Sequence, residues 1–144
     1  MRGFLPLVLS TLLLLVACAG TGPDSADVPD DPFQPLRGKV WIVEDIDHRG
    51  IIDSSRVTIE IGADDQAGGR ASCNRWFAPV TSADGGIRFG GAGSTMMACG
   101  EALMNQEQRF LATLGRIRSF EIDGTGALLL TGEDGAYLKA YPES

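Results

Sequence analysis

The stretch "ASCNRW" puts Cys73 directly before Asn74, Arg75 and Trp76. A cysteine in such a polar neighbourhood has three chemical uses: it acts as a nucleophile, binds a metal or forms a disulfide. A nucleophilic thiol needs a base nearby. The only histidine, His48, lies in the polar segment "IDHRGI", which is typical of a solvated loop. A catalytic pair of Cys73 and His48 is therefore a weak alternative.

A metal site and a disulfide are the other two alternatives. The chain has three cysteines, Cys18, Cys73 and Cys99, and they show no paired spacing. Two cysteines and one histidine are an incomplete ligand set for zinc, so we expect no metal and no cofactor. If Cys18 carries a lipid, Cys73 and Cys99 remain as an even pair, which predicts a disulfide in an oxidising compartment. Its closed loop of about 25 residues would stabilise the fold by roughly 3 to 4 kcal/mol.

The N-terminus, "MRGFLPLVLSTLLLLVACAG", has the pattern of a secretory signal. One arginine precedes an apolar run of 14 residues, Phe4 to Ala17. A helix needs about 20 residues to cross a bilayer, so a retained membrane span is the less favoured alternative. Residues 1–17 are predicted to be a signal peptide.

The end of this signal fits two kinds of processing. "LVAC", ending at Cys18, resembles the bacterial lipobox, whose cysteine becomes the lipid-modified first residue. Acyl chains would anchor the protein to a membrane without a spanning helix. Because Ala19, not aspartate, follows the cysteine, the resemblance implies an outer-membrane lipoprotein that faces the periplasm. The alternative is ordinary cleavage after Ala19, which would give a secreted or periplasmic protein.

Residues 18–35 are predicted to be the lipidated cysteine and a disordered tether. Residues 19–35 hold four of the seven prolines, four aspartates and no basic residue, so they cannot bury enough apolar surface to fold. The whole chain has a formal net charge of −7 and no basic stripe. We therefore expect no nucleic-acid partner.

Residues 36–144 are predicted to be one mostly β (α+β) domain. Segments such as "RVTIEIG" alternate polar and apolar residues, and glycine-containing turns separate about eight such short strands. The exception is residues 100–116, where helical spacing of apolar residues predicts one helix with Gly100 as N-cap and Gly115 as C′ residue. We expect an antiparallel, half-barrel-like sheet with this helix packed against it.

Two cysteine-containing segments resemble the META domain, the HslJ-like family of bacterial envelope lipoproteins. The family hallmarks are a Cys-Asn-Arg segment, a Thr-x-Met-x-Cys segment and a helix that carries Glu ahead of Phe-Leu. This chain has "CNR" at 73–75, "TMMAC" at 95–99 and a Leu-x-Gly-x-x-Trp start at "LRGKVW". The matching residues are Cys73, Asn74, Arg75, Thr95, Met97, Cys99, Glu107, Phe110, Leu111, Leu114, Leu36, Gly38 and Trp41.

The resemblance covers about residues 36–141 and implies a β-rich half-barrel with one helix, associated with the envelope and with stress. It implies no agreed biochemical activity. Two positions depart from the family pattern. Ser72 stands where many members have Gly, and Met96 stands where a basic residue is frequent.

Glu107 lies near the middle of the apolar face of the predicted helix, between Phe110 and Leu111 at about 100° per residue. A carboxylate there must find a partner or raise its pKa. Asn74 and Arg75 are the candidates, and we expect Arg75 and Glu107 to form a partly buried pair that locks the helix to the sheet.

Aromatic and methionine side chains are candidates for a shallow apolar groove. Trp41 and Trp76 lie on alternating strands, where such residues usually belong to the core. Met96 and Met97 are adjacent, so in a strand one would be core and the other exposed. An exposed methionine or tryptophan would line a groove for a peptide or acyl chain, with Trp41, Trp76 and Met96 as candidates.

These features favour a non-enzymatic, lipid-anchored envelope protein that acts through contacts with an unknown envelope protein, in envelope maintenance or stress tolerance. The alternative is a binder or sensor of a small apolar ligand or peptide in the groove. An enzyme is the least favoured class, because no nucleophile–base pair, metal ligand set or matched acids are recognisable.

Overall fold

The computed structural model describes residues 31–144, and the predicted signal peptide, Cys18 and most of the predicted tether lie outside this range. The folded part takes in residues that precede the expected boundary at residue 36. Phe33 is 2% exposed in the hydrophobic core, beside Leu36. Arg37 binds Asp31 and the carbonyl of Gly62, and the hydrogen bond from this guanidinium holds the pKa of the Asp31 carboxyl below its usual value.

Nine strands and one long helix make up this part of the chain, which confirms the predicted fold class. Their bounds are β1 (Trp41–Ile46), β2 (Thr58–Ile61), β3 (Gln66–Arg70), β4 (Arg75–Ala83), β5 (Gly86–Phe89), β6 (Gly93–Ser94), α1 (Glu101–Arg116), β7 (Ile117–Ile122), β8 (Leu128–Gly132) and β9 (Tyr137–Pro142). A short 3₁₀ turn, Glu133–Gly135, joins β8 to β9.

The strands form one antiparallel sheet in the order β5-β4-β3-β2-β1-β9-β8-β7, and β6 pairs with β4 beside the start of that strand. Strict alternation sets the burial along β4, where Trp76, Ala78 and Val80 face inward. The two end strands, β5 and β7, lie side by side, and the guanidinium of Arg88 donates to the carbonyl of Arg118 across them at 2.7 Å. The sheet is therefore a nearly closed barrel.

Glycine lets the end strands approach this closely. A Cβ added at Gly86 would overlap the carbonyl oxygen of Arg118, a backbone atom that cannot move aside easily. We expect Gly86→Ala to lower the free energy of unfolding by about 2 kcal/mol, because overpacking at a rigid contact costs in this range. Gly91→Ala is the matched control, since nothing lies within 4 Å of its added Cβ. Equal urea midpoints for both variants would contradict this account of the closure.

Helix α1 packs on the barrel through Phe110 and Leu114, both fully buried. The ring of Phe110 meets Trp76 edge-on, with centroids 5.5 Å apart. Gly100 is the N-cap residue, as predicted, but Gly115 is not the C′ residue. The helix continues to Arg116 and passes directly into β7, because Ile117 adopts extended angles (φ −63°, ψ 140°) and is fully buried. No positive-φ residue is needed for this exit.

Among residues 31–144, no helix is both long and apolar enough to cross a bilayer.

Candidate functional site

The structure brings both family segments together at one end of α1. A disulfide joins Cys73 to Cys99, with their Cα atoms 6.0 Å apart. Cys73 lies in the turn between β3 and β4, and Cys99 lies just before the helix. The bridge therefore fastens the segment Thr95–Cys99, which we call the methionine loop, to the start of β4.

The side chain of Asn74 forms hydrogen bonds to Thr95 and Met97 of the methionine loop. Its side chain is buried, and Oδ1 accepts from the backbone N–H of Met97 (2.7 Å) and the hydroxyl of Thr95 (3.0 Å). Its Nδ2 donates to the carbonyl of Met97 (3.3 Å) and to Oε1 of Glu107 (2.9 Å). An amide side chain offers two donors and two lone pairs, so all of its hydrogen-bonding capacity is used.

Glu107 is the second buried polar residue of the site, at 5% exposure on the inward face of α1. Its Oε2 accepts from the backbone N–H of Asn74 at 2.7 Å, and its Oε1 accepts from the side chain of the same residue. Charge-assisted hydrogen bonds of this kind are stronger than neutral ones. They satisfy the carboxylate, as burial requires.

The predicted pair of Arg75 and Glu107 is wrong, because the partner is Asn74. Successive residues of a strand point to opposite faces. Since Asn74 faces the helix, Arg75 faces outward, and its side chain is exposed. Arg75 contributes through its backbone instead, since its N–H donates to the Thr95 hydroxyl (3.1 Å) and its carbonyl accepts from the Thr95 N–H (2.9 Å).

The expected groove residues divide into two groups. The side chains of Trp41 and Trp76 belong to the core, because the two residues are 1% and 2% exposed, and Trp76 only borders a surface groove on β3 and β4. Their indole N–H groups donate to the carbonyls of Leu36 and Thr58. Met96 lies at the surface, 97% exposed.

Met97 is also at the surface, 63% exposed, so the expectation that one of the two methionines is core is wrong. That expectation assumed a strand through both residues. The chain leaves β6 at Ser94, and the methionine loop runs as an irregular segment, to which alternation does not apply.

Two grooves meet at Thr95. The first, which we call the methionine groove, has a volume of about 380 Å³. Its lining includes Met96, Met97, Met104, Glu107 and Leu111. The second, which we call the glycine groove, has a volume of about 410 Å³ on the outer face of β3 and β4. Its lining includes Glu60, Gly68, Arg75, Phe77 and Thr95.

Phe77, on the outer face of β4, is a third exposed apolar side chain near the methionine loop. It is 59% exposed and packs over Gly93 of β6, where an added Cβ would collide with the ring. We call Phe77, Met96 and Met97 together the methionine surface. They are the three most exposed large apolar side chains in the described part of the chain.

The arrangement offers little to covalent chemistry. Both cysteine sulfur atoms of the site are joined in the disulfide, so Cys73 has no free thiol for His48 to activate. His48 stacks instead on Tyr137, with ring centroids 4.1 Å apart. Within residues 31–144 no three Cys, His, Asp or Glu side chains are placed to hold a metal ion.

A second set of buried polar residues fixes the other side of α1, and the sequence analysis did not identify it. Gln106 accepts from the N–H of Ile52 (2.7 Å) and donates to the hydroxyls of Ser55 and Ser72 (2.8 Å each). The hydroxyl of Thr113 donates to Asp47 at 2.7 Å. The only signal was a polar residue inside the apolar helical face. Its partners lie on distant loops that local pattern cannot locate.

Comparison with solved structures gives matches to the same fold. An NMR structure of a protein from Burkholderia xenovorans is 23% identical with a TM-score of 0.63, and the match covers 85% of this chain and 97% of that one. A second NMR structure is 19% identical with a TM-score of 0.59, and covers 76% of this chain and 92% of the other. No curated protein matches the chain.

The model of the META domain matches residues 34–144, which include the disulfide, Asn74, Glu107 and both grooves. The match begins two residues before Leu36, at the buried segment around Phe33. It thus covers more than half of the chain, and the protein belongs to the META domain family.

Proposed function

We propose that this protein is a non-enzymatic, lipid-anchored envelope protein that works by binding another envelope protein through the methionine surface. Its proposed roles are in envelope maintenance or stress tolerance. The META domain is not a known enzyme family, and its members suggest an envelope-related protein. The lipobox-like "LVAC" and the apolar run before it support the anchor and the outer-membrane location.

The observation that carries the proposal is that the methionine loop exposes apolar side chains while its backbone is fixed to the start of β4 by a disulfide and hydrogen bonds. Apolar residues at a loop tip usually turn inward, yet Met96 and Met97 stay exposed while the disulfide and Asn74 hold their backbone. Holding the loop in place lowers the conformational entropy that binding would cost. Methionine side chains adapt to varied partner surfaces. Exposed apolar side chains that lie near one another are a feature of protein interaction sites.

The second candidate function is binding of a small apolar ligand or peptide. It is favoured by the methionine groove, whose volume of about 380 Å³ lies within the ordinary range for ligand sites. It receives no support from the barrel interior, which Trp41, Trp76 and Phe110 fill. The methionine groove at the surface, and not the barrel interior, is therefore where this alternative has structural support.

Photo-crosslinking in the intact envelope tests the proposal. A photoreactive residue at position 96 or 77 is expected to capture the same protein, and the same residue at Glu121, an exposed position on β7, is expected to capture none. Mass spectrometry identifies the adduct. Recurrent lipid or small-molecule adducts at position 96 would favour the second candidate. An identical capture pattern from all three positions would contradict both.

A further inference from the structure

Two arginines stand directly opposite each other on the outer face of the barrel. Arg70 and Arg75 are Cα partners in the register of β3 and β4, and both are exposed. Neither guanidinium makes an ion pair or a hydrogen bond with any residue of the described range 31–144. Two positive charges therefore share one site, and no acidic side chain of residues 31–144 lies within bonding distance of either.

This arrangement is not explained by stability. Like charges directly opposite each other in an antiparallel pair are destabilising. The chain carries more acidic than basic residues, and it gives acidic partners to other arginines. Arg37, Arg56, Arg88, Arg116 and Arg118 each form an ion pair with an aspartate or a glutamate. Within residues 31–144, what sets Arg70 and Arg75 apart from the other arginines without an ion pair is that they face each other across two paired strands, so their combined positive charge is available to an external partner.

The glycine groove begins beside this arginine pair. Gly68 is the Cα partner of Phe77, so on this row of the sheet no side chain stands next to the exposed ring. The floor there is backbone, and a Cβ at Gly68 would press on the carbonyl of Trp76 at 3.0 Å. Glu60, opposite Gly68 on β2, lines the far side. The groove thus has an apolar centre, a basic end and an acidic side.

A planar guanidinium binds carboxylates in a bidentate, charge-assisted geometry. We propose that the glycine groove binds an extended acidic segment of the partner protein, with carboxylates on Arg70 and Arg75 and an apolar side chain on Phe77. This inference rests on the proposed function and specifies the chemistry of its partner. An anionic membrane surface fits less well, because its headgroups would set negative charge against Glu60 as well as against the arginines, whereas an extended segment can carry its carboxylates at the basic end of the groove alone.

Peptide selection on the full mature protein tests the inference. From a displayed library of random eight-residue peptides, the enriched sequences are expected to carry two acidic residues beside an apolar one. Their affinity is expected to fall at least tenfold for the R70Q/R75Q variant and to weaken with added salt. Arg49→Gln removes another exposed arginine that forms no ion pair within residues 31–144, and this variant should bind as the native protein does. Enriched peptides without acidic residues would overturn the inference. Equal affinity of the peptides for the native protein and for R70Q/R75Q would also overturn it.

Two further measurements distinguish this role of the arginine pair from a structural role and from lipid binding. The R70Q and R75Q variants are each expected to melt about 1 to 3 °C above the native protein, because like-charge repulsion is removed. A lower melting temperature would make the pair structural and overturn the inference. Binding of vesicles of anionic phosphatidylglycerol that depends on Arg70 and Arg75 would assign the pair to lipid and also overturn it.

Failure of this inference is distinguishable from failure of the proposed function. If position 96 or 77 captures one protein equally from the native and the R70Q/R75Q backgrounds, the methionine surface binds a partner and the acidic-segment inference is wrong. If neither background gives a specific capture, the proposed function is wrong. Loss of capture only in R70Q/R75Q supports both.

Discussion

Removing the disulfide with the C73A/C99A double substitution is expected to lower the free energy of unfolding by about 3 to 4 kcal/mol. The two cysteines are 26 residues apart in the chain, and a cross-link over such a loop reduces the entropy of the unfolded state by this amount in the chain-entropy model. A single domain of this size is stable by only about 5 to 15 kcal/mol, so the loss is a large fraction of the total. The melting temperature is expected to fall by about 10 °C or more.

Urea denaturation with and without a reductant measures this effect. The native protein is expected to lose stability when dithiothreitol is present, and the C73A/C99A variant is expected to be insensitive to it. The C73A/C99A variant therefore serves as the control for effects of the reductant that do not involve this disulfide. An unfolding midpoint of the native protein that stays the same after reduction would show that the bridge does not contribute as described.

Loss of the bridge is also expected to loosen the methionine loop more than the rest of the domain. Thr95 and Met97 keep their hydrogen bonds to the start of β4, but Cys99 loses its only covalent attachment there. Hydrogen exchange at residues 96–99 should therefore quicken in C73A/C99A while exchange in β1 and β9 changes less. If the loop is the binding site, capture of the partner from position 96 should weaken with it.

The fold was predictable to the extent that it depends on local pattern. Alternating polar and apolar residues locate the strands, and helical spacing locates α1 and its beginning at Gly100. Closure of the sheet was not predictable, because it depends on the contact between β5 and β7, which lie about 30 residues apart in the chain. The strands can approach because Gly86 has no side chain, but in the sequence this glycine cannot be distinguished from an ordinary turn glycine.

The site was predictable where it depends on chemical type and unpredictable where it depends on geometry. The need of Glu107 for a buried partner followed from its place on the apolar face, and the structure supplies one. The prediction favoured Arg75 over Asn74 because arginine is charged. The partner is Asn74, because its side chain points toward the helix and that of Arg75 points outward. Ser72 shows a similar limit. Its φ of 98° is unfavourable for a residue with a side chain, which explains why glycine suits this position.

Asn74→Ala is expected to lower the free energy of unfolding by about 3 kcal/mol. The substitution leaves the backbone N–H and carbonyl of Met97 and one oxygen of Glu107 without their partner, and buried polar groups without partners cost about 1 to 3 kcal/mol each. Water that enters the space of the lost amide would reduce this sum. Asn105→Ala, on the exposed side of α1, is the matched control and should change stability by less than about 0.5 kcal/mol.

Asn74→Asp separates the hydrogen-bond direction from the shape of the side chain. Aspartate keeps an acceptor for Met97 and Thr95 but replaces the donor to Glu107 with a second carboxylate. Two carboxylates at one buried site raise the pKa of one of them above its unfolded value. The variant therefore loses stability as the pH rises from the unfolded value near 4 up to the raised folded value, so its deficit relative to the native protein is expected to be largest at pH 7 and to shrink toward pH 4.

A double-mutant cycle with Glu107→Gln then tests whether the two residues act as one unit. In the native site both partners of the carboxylate are donors, so glutamine turns one of its own N–H groups toward an N–H of Asn74. Glu107→Gln alone is expected to destabilise by about 1 to 3 kcal/mol. In N74D/E107Q the new amide can donate to the new carboxylate, so the double variant should be more stable than Asn74→Asp alone. If the two single effects simply add, Asn74 and Glu107 do not form the coupled lock that the geometry describes.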